Sequence, residues 1–149
     1  MIIDDAQSID RLLRETKRIA VLGIKTEDQG GQAAFYVPKF LVQQGYDVVP
    51  VPVYYPNVMR ILGRPVYRKL TDVPGEIDMV DVFRRPKDLA PHLDDILAKK
   101  PKSVWLQSGI SDDAFAEELS ANGIIVVQDR CLMIEIRARG LSGRSVRAE

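Results

Sequence analysis

The sequence predicts a doubly wound α/β fold, a mainly parallel five-stranded sheet with flanking helices. Three observations predict it. Five short apolar runs recur along the chain, four of them rich in β-branched residues: Arg18–Ile24, Asp47–Val53, Asp78–Phe83, Ser103–Gln107 and Ile124–Gln128. They are near-continuously hydrophobic instead of alternating, which suits strands covered on both faces. Helical patterns lie between them, and strand–helix–strand repeats close as right-handed crossovers.

Taken in order, a helix over about Asp5–Thr16 precedes the first strand. The first strand runs into a polar loop ending at Gly30-Gly31, and Gln32–Gln44 then carries Phe35, Tyr36, Phe40 and Leu41 on or near one stripe. Gly45 stops that helix, since a residue past a helix end adopts the left-handed conformation that glycine accepts. After the second strand, Tyr54–Pro74 breaks the pattern with three prolines and one glycine. Gly63-Arg64-Pro65 reads as a turn there, with a short extra strand near Val66. Leu89–Lys100 ends on two lysines, which favour a helix C-terminus. Ser111–Asn122 opens with Ser111 as cap and two acids, and closes at Asn122-Gly123. A last helix covers about Leu132–Arg139, and Leu141–Glu149 reads as a flexible tail behind a single domain of residues 1–140.

Composition limits the function classes. The chain has 149 residues, enough for one proper core. Its 21 basic and 21 acidic side chains cancel, so no global field argues for nucleic acid or a membrane surface. One cysteine, Cys131, excludes an intramolecular disulfide framework and a Cys-rich metal site. Met1-Ile-Ile-Asp-Asp lacks a basic region followed by an apolar core, and no apolar run is long enough to span a bilayer, so a cytoplasmic location is expected.

In open α/β sheets, ligands bind beyond the carboxyl ends of the strands. Those ends carry Gly23-Ile-Lys-Thr26, Pro52-Val-Tyr54, Phe83-Arg-Arg-Pro86, Gln107-Ser-Gly109 and Asp129-Arg-Cys131. A glycine loop feeding a helix N-terminus aims backbone N–H groups at one spot, where an anion is stabilised. Lys25 and Thr26 add a cation and a hydroxyl, and Arg84 and Arg85 can clamp phosphate oxygens bidentately. A dinucleotide site would also need an acid at the end of the second strand for the ribose, and Val51-Pro-Val-Tyr54 has none. Pro52 and Val53 offer an apolar edge instead.

These residues resemble the small CoA-binding protein family related to the CoA-binding domain of the succinyl-CoA synthetase α subunit. The resemblance covers about residues 15–139 and is most specific in Asp81-Val-Phe-Arg-Arg-Pro86, Val104-Trp-Leu-Gln-Ser-Gly-Ile110 and Val127-Gln-Asp-Arg-Cys-Leu132. Weaker echoes are Gly45-Tyr-Asp-Val-Val-Pro-Val-Pro52 and Ile61-Leu-Gly63. The family implies a Rossmann-like domain with coenzyme A as its ligand. Carried over by position, Gly23, Ile24, Lys25 and Thr26 would cradle the phosphates, and Pro52 and Val53 would border the adenosine. Phe83, Arg84 and Arg85, with Gln107 and Gly109, would line the pantetheine path. Two positions depart from the pattern: Lys25 replaces a residue that is often small, such as serine, and Val51-Pro52-Val53 stands where Val-Asn-Pro is common. The first could strengthen a phosphate contact or fill the pocket.

No catalytic apparatus stands out. The synthetase's phosphohistidine belongs to a second domain that this stretch does not contain. The only histidine, His92, reads as a solvated helix residue, and ligands for a metal site are lacking. Cys131, at an expected helix N-terminus beside Arg130, is either a reactive thiol or a small packing residue. Only Asp129 and Cys131 are placed to serve the rival reading, a nucleotide- or NAD(P)-binding enzyme or a subunit of one. The expectation is therefore a protein that binds coenzyme A or an acyl-CoA and is non-catalytic by itself. A homo-oligomer or a protein partner is left open.

Overall fold

The computed structural model describes residues 1–144; residues 145–149 lie outside the described part. Helix α1 (Ala6–Glu15) leads into strand β1 (Arg18–Leu22), followed by α2 (Ala33–Gln43) and β2 (Asp47–Val51). A small hairpin, β3 (Arg60–Ile61) and β4 (Arg64–Pro65), precedes β5 (Met79–Val82). The chain then alternates through α3 (Leu93–Lys99), β6 (Ser103–Leu106), α4 (Asp113–Ala121), β7 (Ile125–Val127) and α5 (Leu132–Ala138). Five strands form one sheet in the order β2-β1-β5-β6-β7, and every pairing in it is parallel. The fold is the Rossmann-like α/β arrangement expected from the sequence.

Parallel strands need both faces covered, and the side chains sort accordingly. Ile19, Val21, Met79, Trp105 and Val127 point to one layer, which holds Ile9 and Leu13 of α1, Phe35 and Leu41 of α2, and Ile136 of α5. Their alternate neighbours Ala20, Leu22, Val80, Val82, Val104 and Leu106 point to the other layer, against Ile96 of α3 and Phe115 and Leu119 of α4. Trp105 fits its layer because its indole N–H donates to the Arg130 carbonyl at 2.8 Å.

The element boundaries differ from the sequence reading in instructive places. Ile24, Val53 and Phe83 continue the apolar runs but lie past the strand ends. The segment read as one helix from Leu89 opens as a 3-10 turn, Ala90–His92, before α3 begins. Asp112, not Ser111, caps α4, accepting from the Phe115 N–H at 3.0 Å. The turn read at Gly63-Arg64-Pro65 is centred one residue earlier, on Leu62 and Gly63, with φ of +55° and +74°. Two positive φ values are what a two-residue hairpin loop of type I′ requires. Of the segment read as a tail, Leu141 packs against the core and the Gly143 N–H donates to the Gln44 carbonyl at 2.9 Å.

Tyr46, three residues past the end of α2, is 1% exposed and its hydroxyl has no hydrogen-bond partner among the described residues. Burial pushes its pKa up to about 12. An unsatisfied buried hydroxyl costs free energy that a phenyl ring would not. The Tyr46→Phe variant should therefore be more stable by about 1 kcal/mol in urea denaturation; a loss of that size would show that the hydroxyl is solvated or bonded.

Candidate functional site

The order β2-β1-β5 creates a switch point. From β1 the chain leaves to α2 on one face, and from β5 it leaves to α3 on the other, so the two loops part above the sheet. Such a crevice is where open α/β sheets take ligands. A cavity of about 340 Å³ opens there, lined by Gly23, Lys25, Tyr54, Phe83, Arg84 and Arg85. A second cavity, of about 370 Å³, shares Lys25, Phe83, Arg84 and Arg85 with it and extends along the N-terminus of α2 to Ser108, Gly109 and Ile110.

Gly23 is what lets the two loops approach. Its φ is +87°, and a Cβ built on it would collide with the Phe83 carbonyl oxygen. Only glycine combines that conformation with that contact. Lys25 is held by a different device. Pro38 lies inside α2 and has no N–H to give to the Ala34 carbonyl one turn earlier. The Lys25 N–H takes that carbonyl at 3.0 Å, which ties the glycine loop to the helix. The first turn of α2 has neither a side-chain cap nor an acidic residue, so its positive dipole end faces the second cavity uncompensated.

Three cations surround the crevice. The Lys25 ammonium lies 3.5 Å from the Gln32 side-chain oxygen. Arg84 donates from Nη1 to the Tyr54 hydroxyl at 3.4 Å, and the contact lowers the Tyr54 pKa from its ordinary value. Arg85 is largely exposed and meets Asp88 at 3.4 Å, a surface pair that leaves it free to turn toward an anion.

Of the residues read from the strand ends, Gly23, Lys25, Phe83, Arg84, Arg85 and Gly109 line these cavities. Ile24, Thr26, Pro52, Val53 and Gln107 line neither. Ile24 is 1% exposed and sits in the core layer of α1 and α2. The Thr26 hydroxyl is spent on Asp28, and the Gln107 side-chain oxygen accepts from the Leu132 N–H at 3.2 Å. Pro52 is buried and Val53 packs against the α3–α4 layer, so the exposed Tyr54 beside them is what reaches the crevice. The Gly109 N–H is also committed, donating to the Asp129 carboxylate at 2.6 Å.

His92 departs most from its sequence reading. It is half-buried rather than solvated, and its Nε2 accepts from Arg84 Nε at 3.2 Å. Its only signal in sequence is Pro91, which lies in the 3-10 turn ahead of α3.

Beyond Ser108 lies a third cavity of about 580 Å³, lined by Ile2, Ile3, Asp129, Arg130, Cys131 and Ile134 among others. It is larger than the crevice but off the switch point, at the β7 edge. Ser108 lines both it and the second cavity, so the two are neighbours along the strand ends. Among the described residues, no group of three or more His, Cys, Asp or Glu is placed to hold a metal ion, and no helix is long and apolar enough to cross a membrane.

Comparison with known proteins agrees with this fold. The sequence model of a family described as "CoA binding domain" matches residues 17–137. The uncharacterized protein YneT of Bacillus subtilis (strain 168) is 29% identical over 126 residues, which is 85% of this chain and 90% of YneT. The structure of cell-free ID.343 from Thermus thermophilus superposes with a TM-score of 0.82 at 39% identity, covering 91% of this chain and 98% of that one. A dinucleotide-forming acetyl-coenzyme A synthetase from Ca. Korarchaeum cryptofilum shares the fold at 19% identity, with a TM-score of 0.60 over 79% of this chain and 26% of the synthetase.

Proposed function

We propose that this chain, which belongs to the CoA-binding domain family, binds coenzyme A or an acyl-CoA and does no chemistry on it alone. The observation that carries the reading is the groove at the β1–β5 switch point, where three cations and an uncapped helix N-terminus converge on a glycine turn. Coenzyme A brings a pyrophosphate, a ribose phosphate and a long amphipathic arm. The residues present suit it: Gly23 brings the β1 and β5 loops together, the uncapped α2 N-terminus offers N–H donors, and Lys25, Arg84 and Arg85 offer charge. Ile24, Thr26, Pro52, Val53 and Gln107 shape these loops from behind.

The pantetheine arm would pass Phe83 and Gly109 toward Ser108 and the third cavity, two strand spacings or about 10 Å along the sheet. The absence of an acid after β2 argues against a nicotinamide dinucleotide, and one oxygen of the Asp129 carboxylate is engaged by the Gly109 amide. Chemistry on the thiol or acyl group would then come from a partner.

Isothermal titration with CoA, acetyl-CoA, NAD and NADP side by side tests this. Saturable binding of the CoA pair alone is expected, and the Lys25→Glu variant should bind about tenfold more weakly, the loss of one charge-assisted phosphate contact. Binding of NAD or NADP alone would revive the enzyme reading. Unchanged affinity in Lys25→Glu would remove Lys25 from the site.

A further inference from the structure

We infer that His92 is a positioning residue of this site: its neutral imidazole, unprotonated on Nε2, holds Arg84 by the Nε edge and so determines which guanidinium N–H groups face a ligand. The inference rests on the reading of Arg84 as a ligand-binding residue. Arg84 Nε donates to His92 Nε2 at 3.2 Å, its Nη1 reaches the Tyr54 hydroxyl at 3.4 Å, and its guanidinium carbon lies 5.6 Å from the centroid of the Tyr54 ring. A guanidinium is a rigid planar fork of N–H donors. With Nε committed to His92 and Nη1 to Tyr54, Nη2 remains for phosphate oxygens. A fork already held in place loses less freedom when a ligand arrives.

The surroundings favour a neutral acceptor. Arg84 faces the ring from the loop after β5, Asp88 from the 3-10 turn Pro86–Asp88 and Asp95 from α3, while Arg68, Lys69 and Asp94 line a shallow cavity with it. Asp95 is already engaged by the Leu70 and Thr71 amides, at 2.7 and 3.2 Å. Burial and then the Arg84 charge lower the His92 pKa below the ordinary histidine value, against the smaller opposing pull of Asp95 and Asp88. Protonation would remove the lone pair that Arg84 Nε uses and bring two cations into contact. Ligand affinity should therefore fall as pH drops through the His92 midpoint, more than ionisation of the ligand's own phosphate would cause.

Because His92 is the only histidine in the chain, its ring nitrogens can be read unambiguously by nitrogen NMR on the intact, ligand-free protein. Near neutral pH the proton is expected on Nδ1, with Nε2 showing the shift of an unprotonated ring nitrogen. A proton on Nε2 would overturn the inference whether or not CoA binds. In CoA titrations, His92→Leu should weaken binding about tenfold. His92→Gln keeps an acceptor at similar reach, so it should stay within about twofold of wild type and lose the extra acid sensitivity. Equal affinity and equal pH dependence in all three proteins would also overturn it. A wild type that takes up no CoA would sink the ligand reading instead, and the tautomer would still decide whether His92 orders Arg84.

Discussion

Gly23→Ala should destabilise the protein by about 3 kcal/mol and abolish CoA binding. The φ of +87° costs an alanine roughly 1–2 kcal/mol, and forcing its methyl against the Phe83 carbonyl adds a further 1–3 kcal/mol of overpacking. The collision falls on the segment that carries Arg84, whose Cδ would also lie 3.3 Å from the new methyl. Relief of the strain therefore moves a site residue. Gly123→Ala is the control: its φ of +83° is similar, but nothing lies within 4 Å of an added Cβ. Only the conformational part, roughly 1–2 kcal/mol, should appear there. Equal losses for the two variants in urea denaturation would show that the close approach of the β1 and β5 loops contributes nothing.

The second large effect should come from Asp81. It sits in the middle of β5, between Val21 and Trp105 on the neighbouring strands, at 0% exposure, and neither carboxylate oxygen has a partner among the described residues. Burial pushes its pKa well above the usual carboxylate range. The sign follows. In the unfolded chain the group ionises near pH 4, while in the folded protein it keeps its proton, so above about pH 4 the unfolded state binds fewer protons. Stability from this group is complete below the unfolded pKa and is lost as pH rises toward the folded one, with a slope of up to about 1.4 kcal/mol per pH unit. Asp81→Val should be more stable than wild type near neutrality by about 2 kcal/mol, with the gap narrowing toward pH 4. Asp81→Asn removes the titration but keeps the polarity, so its difference from wild type isolates the pH term. A wild type that gains on Asp81→Asn as pH rises would mean that the carboxylate is paired.

The sheet was legible because its strands are near-continuous apolar runs, and few other structures bury both faces of so short a segment. What failed at the boundaries failed for one physical reason. Ile24, Val53 and Phe83 are apolar because the loops beyond the ladder are themselves partly or wholly buried, and hydrophobicity cannot distinguish a ladder residue from a buried loop residue. The same ambiguity affected the site. Gly23, Lys25, Phe83, Arg84, Arg85 and Gly109 lie past strand ends in the sequence and line the two cavities, a placement that follows from topology alone. It could not show that Thr26 and Gln107 spend their polar atoms inside the protein, because those partners, Asp28 and Leu132, are known only from the folded geometry. The place of His92 is not legible, since a continuous helix through Pro91 sets the ring on a solvated face, whereas the 3-10 turn Ala90–His92 leaves it against Arg84.

Pro38 gives the groove a mechanical character. A proline in mid-helix is normally a defect, yet here the carbonyl it releases at Ala34 is claimed by Lys25. Helix and glycine loop thereby share a hinge pin, and the loop inherits the stiffness of an element buried against the sheet. The entropy of ordering that backbone is spent during folding, before any ligand arrives, so an incoming anion meets a mould already cast.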